Sequence, residues 1–365
     1  VDPRPQRAPA RARRRRQRFV DPRHLYQDGM PSTAADLHLS DVHLHCPGST
    51  SAADEVSRFA FSTDSAETSA TAADSDGDQV LKRRRAGRSG TLKLRHALAT
   101  PLPDVGLQVW RGALLLCDYL LARPALVRGA TILELGAGCG LCGLLAAGTA
   151  RRVFVTDNAE GVLANAQANV ELNGVEAVAR VRMLDWAEPV LPSDPTEEGA
   201  PPSAECHPAG DAAGAPSAGA RPAAAGPFAW SAEERAELRE CNLILAADCV
   251  YGDDMTDALV ACLHALLHTL PHGAVALVAM EKRINFCLAS LAACAPAVEH
   301  FAQGLEAAGL EWRRVPPSSF AQGFVGYERV KELELWRVTA ALGEDGAGID
   351  AVGCRESEYC VECEG

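Results

Sequence analysis

The sequence predicts an α/β chain: a mostly parallel sheet with helices on both faces. Three observations predict it. Short apolar runs alternate with longer helical patterns from about residue 109 to 338. A glycine-rich turn, Gly136, Gly138 and Gly140, follows the first short run. Carboxylates end later runs, at Asp157, Asp185 and Asp248.

The elements follow in order. Residues 109–121 (VWRGALLLCDYLL) read as a helix, with Pro124 just past its end. TILEL at 131–135 is a short buried strand, and 141–150 a helix of small residues. Residues 152–156 form a second strand, followed by an Ala- and Asn-rich helix to about 173. A third strand spans 179–184. After an interruption, a helix at 231–240, a strand at 242–247 (NLILAA), a helix at 257–270 and a strand at 273–280 resume the alternation. A helix at 301–308 ends before Gly309, and strands at 311–315 and 331–338 close the pattern. Strands alternating with helices in this way imply parallel pairing through helical crossovers.

The flanks differ in composition. Residues 1–90 are rich in Arg, Ala, Ser, Thr and Asp and are expected to be largely disordered, with order beginning near Thr91. One exception is LSDVHLH at 39–45, which alternates as a strand does. Residues 91–340 make the folded domain. Within it, about 190–228 is dense in Pro, Ala, Gly and Ser and reads as a flexible insertion. Residues 341–365 read as a loose tail.

The 365 residues carry a formal net charge of −13, although Arg-rich runs occur at 11–18 and 82–88. An acidic body disfavours direct nucleic-acid binding and favours a basic protein partner. The basic runs read either as nuclear import signals or as solvated charge. Thirteen cysteines, many inside apolar runs, fit buried free thiols of a reducing compartment. Cys139 and Cys142 have redox spacing but fall in the glycine turn. Cys354, Cys360 and Cys363 lack a well-placed fourth ligand, so no metal site is expected. No signal peptide or uncharged membrane-spanning run is expected.

The chemistry concentrates at 134–140, ELGAGCG. Glycines there let the backbone approach a ligand closely, at the start of a helix with unsatisfied N–H groups. A dinucleotide fingerprint would place a third glycine at Leu141, whereas here Gly136, Gly138 and Gly140 alternate. Glu134 suits the cationic ammonium or sulfonium region of S-adenosylmethionine and would repel a pyrophosphate. Its bland alternative is a solvated loop carboxylate. Asp157 ends the second strand, where a carboxylate accepts ribose hydroxyls or caps the next helix. Asp185 suits an adenine amino group, and Trp186 either packs on that ring or in the core. Ala137 and Ala247 complete the cofactor-facing set. Asp248 and Tyr251 follow the fourth strand and can face one cleft. Methyl transfer from a sulfonium needs in-line alignment and a neutral nucleophile. Asp248 and Tyr251 suit orientation of a lysine amine, or are a strand-end acid beside a packed phenol.

Together these residues resemble the family 16 protein-lysine methyltransferases, in Val109-Trp110, the 134–140 loop, Asp157, Asp185-Trp186 and Asp248-x-x-Tyr251. The resemblance covers most of 92–340. It implies a Rossmann-like, class I, seven-strand sheet with the last strand antiparallel, and Trp110 near the cofactor. It implies methylation of lysine on non-histone proteins. For the nearest relatives it implies a nuclear setting, with the cytoplasm as a second site, and a nucleic-acid-binding protein as substrate; chaperones are recurrent partners. Two positions depart from the pattern. Cys139 stands where Thr is common, and Asp248 where the nearest relatives carry Glu. Competing readings are an adenosylmethionine-binding scaffold with little catalysis, a small-molecule methyltransferase, and an NAD-dependent oxidoreductase.

Overall fold

The structure is a computed structural model, and it describes residues 38–40, 42, 55–63, 88–189, 226–287 and 292–341. Four early strands form two small antiparallel pairs. β1 (His38–Leu39) pairs with β4 (Ala99–Thr100), and β2 (Glu55–Ser62) pairs with β3 (Ser89–His96) along its whole length. β2 lies well before the expected onset of order near Thr91. Its signal is a short alternation: Phe59 and Phe61 are buried while Arg58 and Ala60 are exposed. Two aromatics carry little weight when the partner strand lies far along the chain. Of the strand expected at 39–45, Leu39 lies in β1 and Val42 is buried, while 41 and 43–45 lie outside the described residues.

The main domain alternates as the sequence predicts. Its first half comprises α1 (Arg111–Ala122), α2 (Pro124–Val127), β5 (Thr131–Leu135), α3 (Leu141–Ala147), β6 (Arg152–Asp157), α4 (Glu160–Leu172) and β7 (Ala179–Met183). Its second half comprises α5 (Ala232–Leu238), β8 (Cys241–Ala247), α6 (Asp253–Thr269), β9 (Val275–Glu281), the short antiparallel pair β10 (Asn285–Cys287) and β11 (Ala292–Cys294), α7 (Pro296–Ala307), β12 (Leu310–Val315) and β13 (Leu333–Ala340). Most of the expected insertion, 190–225, and the tail from 342 lie outside the described residues.

Several helices start earlier than their apolar patterns. α6 gains a first turn carrying Asp253 and Asp254, where acids complement the positive end of the helix dipole. α7 begins at Pro296, a residue preset for the first helical position. α5 opens with a capping box, in which Ser231 and Glu234 each accept the other's backbone N–H.

Seven strands form the central sheet in the order β12-β13-β9-β8-β5-β6-β7. Pairs among β9, β8, β5, β6 and β7 are parallel, and β13 runs antiparallel to both β9 and β12. The last strand in sequence is therefore the antiparallel one. Each central strand is apolar on both faces, as a sheet covered on two sides requires. Ile132, Val153, Val155, Leu243 and Leu245 pack toward α1, α3 and α4. Leu133, Leu135, Phe154, Ile244 and Ala246 pack toward α5, α6 and α7.

Among the described residues, one helical stretch, Leu102–Ala122, is long and apolar enough to cross a membrane by length and composition, and 61% of its apolar 18-residue window is buried within the protein. It joins a 3-10 turn (Leu102–Leu107) to α1, and α1 is a central packing element. Inside α1, Asp118 is fully buried and satisfied. It accepts the backbone N–H groups of Gly323 and Phe324, each at 2.8 Å, the Tyr327 hydroxyl, and Arg329 Nη2 at 2.7 Å. A buried carboxylate persists only with such partners. It ties α1 to the 316–330 loop, where β2 also docks through Ser62 N–H to Gly323 O at 2.9 Å.

The parallel order places a switch point between β5 and β8. The chain leaves β5 toward β6 and β7, and returns on the other side with β8 and β9. In open α/β sheets, the crevice at the carboxyl ends of such strands is where ligands bind. The glycine turn after β5 and the Asp248 segment after β8 meet at that crevice.

Candidate functional site

The turn between β5 and α3 needs its glycines. Gly136, Gly138 and Gly140 have φ of 57°, 55° and 79°, a left-handed region that costs other residues. Space is a second constraint at two of them. A Cβ on Gly136 would lie 2.8 Å from both Cys249 Sγ and Trp186 Cζ2, and one on Gly138 would lie 2.8 Å from Gly106 O. Ala137 donates its N–H to Thr156 O at 2.8 Å, and Gly140 donates to Ala137 O at 2.8 Å. The turn is thus a compact backbone cradle braced against β6.

The carboxylates differ in environment. Glu134 is 3% exposed and lies beneath the turn, where Oε2 accepts the Gly143 N–H at 2.9 Å. Gly143 leaves room for it, since a Cβ there would sit 2.5 Å from Oε2. Burial pushes the carboxyl up to about 8, and hydrogen bonds from Gly143 and Cys142 only partly oppose this. Glu134 is therefore neither the solvated loop acid nor an acid standing free in the cleft: it is engaged with the first turn of α3. Asp157 is half-buried at the end of β6. It accepts Gly138 N–H at 3.1 Å through Oδ2 and Asn158 N–H at 2.9 Å through Oδ1. Burial raises its pKa, opposed by those backbone donors. Asp185 is exposed after β7, with Oδ1 accepting Ala187 N–H at 3.0 Å. Trp186 is 8% exposed and packs in the core with its indole against Gly136, so one ring serves both the core and the floor of the turn.

Across the switch point, Ala247 ends β8 and Asp248 follows with φ of 54°, the one left-handed non-glycine among the described residues. Such a conformation persists only where its surroundings over-determine it. Here the Asp248 N–H donates to Ala279 O at 2.8 Å. Its Oδ2 accepts Gly112 N–H at 2.6 Å and its Oδ1 accepts Glu281 N–H at 2.9 Å. Burial raises its pKa to about 6, with the two backbone donors and the Arg283 charge holding it below Glu134. Asp248 thereby clamps the start of α1 to the end of β9. Arg111 reinforces the clamp with an ion pair to Glu281 at 3.0 Å. Trp110 is the N-terminal cap residue of α1, donates Nε1–H to Val105 O at 3.1 Å, and carries the Arg283 guanidinium 5.5 Å from its ring centre. Tyr251 is 53% exposed, and its phenol is raised by partial burial first and then by Cys249 and Asp157.

Sequence reasoning missed three members of this arrangement. Gly112 signals itself as a glycine in the first turn of a strong helix, where it costs about 1 kcal/mol relative to alanine. Its Cβ would lie 2.5 Å from Asp248 Oδ2. Glu281 and Arg283 have no local signal, because their roles depend on β9 ending beside α1. Among the described residues, no group of three or more His, Cys, Asp or Glu side chains is arranged to hold a metal ion.

The donor set fits a nucleoside. Asp157 ends β6, Asp185 follows β7, and the close-packed turn presents backbone rather than bulky side chains. S-adenosylmethionine has that chemistry, with vicinal hydroxyls and an exocyclic amine.

A family model described as lysine methyltransferase matches residues 90–198 and 219–290. Methyltransferase-like protein 22 of Mus musculus is 39% identical over 260 residues, covering 68% of this chain and 58% of that protein. Its Homo sapiens counterpart is 39% identical over 262 residues, covering 68% and 57%. The chain thus spans less than two thirds of the length of these two relatives. EEF1A lysine methyltransferase 3 of Mus musculus is 41% identical over 85 residues, 22% of this chain and 35% of that one. Among solved structures, a TehB-like SAM-dependent methyltransferase from Corynebacterium glutamicum overlays with a TM-score of 0.34 at 16% identity, covering 66% of this chain and 92% of that one.

Proposed function

This chain belongs to the lysine methyltransferase family, and on that premise we propose that it methylates the side-chain amine of a lysine in a protein substrate, using S-adenosylmethionine. The observation that carries the reading is the meeting, at one switch point, of a glycine cradle flanked by strand-end acids with the Asp248–Tyr251 segment.

S-adenosylmethionine, when bound, supplies a methyl group on a sulfonium. The protein's residues do the rest. Asp157 accepts the ribose hydroxyls through lone pairs its backbone donors leave open. Asp185 takes the adenine amine, and Trp186 walls the ring. Gly136, Gly138 and Gly140 admit the ligand to the backbone. The lysine amine, with a reference pKa of about 10.4, must arrive neutral. Tyr251, exposed at the mouth, aligns it. Asp248, ionised above about pH 6, accepts from it while holding the start of α1 in place.

The finer reading is a non-histone, nucleic-acid-binding protein as substrate, reached in the nucleus, with the cytoplasm as a second site and chaperones as further partners. The Arg-rich runs at 11–18 and 82–88 support nuclear entry, and the net charge of −13 supports a basic substrate. An adenosylmethionine-binding scaffold with little catalysis is the alternative. The engagement of both Asp248 oxygens by backbone donors favours it.

Calorimetric titration with S-adenosylhomocysteine, beside NADH, tests the cofactor. Binding of the first alone is expected, and binding of NADH alone overturns the assignment. Transfer of labelled methyl to lysine in nuclear protein fractions then separates enzyme from scaffold. Tight cofactor binding without any transfer favours the scaffold.

A further inference from the structure

Helix α4 carries asparagines at 165 and 169 and is capped at its C-terminus by Asn173, a spacing of four that places all three on one face. That face lies along the edge of β3. Asn173 Oδ1 accepts Lys93 N–H at 3.0 Å, and its Nδ2 donates to Lys93 O at 2.7 Å. Asn169 does the same two residues on: Oδ1 accepts Arg95 N–H at 2.6 Å, and Nδ2 donates to Arg95 O at 3.0 Å. Each amide imitates the N–H and C=O of a neighbouring strand. Asn165 adds a bond from Nδ2 to Arg95 O at 3.0 Å.

Asn169 differs from its neighbour in one contact. Its second Nδ2 hydrogen goes to Cys139 O, in the glycine turn, at 3.0 Å. Asn169 is fully buried, and all three of its bonds go to backbone groups. The orientation of the amide is fixed by this set, because only the oxygen can accept the Arg95 N–H. The Cys139–Gly140 peptide is thereby held at both ends, by Asn169 at its carbonyl and by Ala137 O at its N–H. That peptide leads into Gly140, whose φ of 79° sets the start of α3.

We propose that Asn169 is a positioning residue for the cofactor turn, whose Cys139 carbonyl it ties to Arg95 of β3; Asn165 spans the same two residues only through the Cys139 thiol, at 3.8 Å. The inference rests on the cofactor reading above. Removing the Cys139 bond leaves the peptide plane held at its N–H end alone, which loosens the direction of the turn's backbone donors. Asn173 makes the same paired bonds to β3 with no bond to the turn, so it serves as the structural control.

The experiment is calorimetric titration of S-adenosylhomocysteine into the wild-type chain, Asn169→Ala and Asn173→Ala, with thermal unfolding of each. Asn169→Ala is expected to melt lower than Asn173→Ala, because it strands buried backbone groups; titrated below both transitions, affinity is expected to weaken roughly 10-fold or more in Asn169→Ala and by less than about 2-fold in Asn173→Ala. Equal effects on affinity, or wild-type affinity in Asn169→Ala, overturn the proposal. Asn169→Ser, smaller in its disturbance, replaces Asn169→Ala if that variant fails to fold, and the same comparison with Asn173→Ser decides. If the wild-type chain itself does not bind the analogue, the cofactor reading has failed, and that outcome is distinct from equal binding by all three chains.

Discussion

Two turns face each other across the switch point and solve one backbone problem differently. After β5, three left-handed positions are filled by glycine. After β8, the left-handed position is filled by Asp248, and three hydrogen bonds hold it there. The acids behave in parallel. Glu134 on β5, with the Asp157 charge adding to its burial, rises to about 8, whereas Asp248, with the Arg283 charge opposing its burial, rises only to about 6. Burial raises both acids first, and the neighbouring charges then separate them. The β5 side presents backbone to a ligand, while the β8 side presents a side chain held by its own hydrogen bonds.

The largest expected effect breaks the glycine side. Gly138→Ala meets both a φ of 55° and Gly106 O at 2.8 Å, so affinity for S-adenosylhomocysteine is expected to fall on the order of 100-fold by calorimetry. An affinity within a factor of two of wild type would show that the turn moves freely. Next, Asp248→Ala strands the N–H groups of Gly112 and Glu281, which should cost about 3 kcal/mol in denaturant unfolding. A loss of activity with unchanged stability would instead assign Asp248 to the substrate alone.

The third effect concerns pH. Because the folded state raises Glu134 above its ordinary value, the folded protein holds a proton that the unfolded chain releases. The contribution of Glu134 is fully present below about pH 4.5 and is lost as pH rises through about 8. Glu134→Gln should remove this fall, amounting to about 2 kcal/mol after allowance for relaxation around the buried acid. Identical pH profiles for the two proteins would place the charge elsewhere. The smallest effect isolates strain: Asp248→Gly should be more stable than Asp248→Ala by about 1 kcal/mol, because glycine accepts a positive φ. Equal stability would mean the turn relaxes once the carboxylate is gone.

Much of this was legible beforehand. The parallel core strands announce themselves as uninterrupted apolar runs, and the glycine turn by its spacing, because both signals are local. Asp157, Asp185 and Asp248 were legible as strand-end acids, but their hydrogen-bond partners were not. Glu134 was expected at the cleft and is held under α3, because only the packing of Gly143 against β5 makes that pocket. Gly112 and Asn169 were visible as an odd glycine and a fourfold spacing of asparagines, yet neither says what it touches.

By itself the sequence determined the α/β alternation, the antiparallel last strand through its family resemblance, and the residue types at each strand end. These follow from periodicity and from backbone needs that a few neighbouring residues express. The tertiary structure alone decided that β2 joins the fold, that Asp118 and Asp248 act as clamps, and that Asn169 reaches both β3 and the cofactor turn. Each of those contacts joins residues 27 or more positions apart. The partners meet only after the sheet has ordered its strands, and no local pattern encodes that meeting.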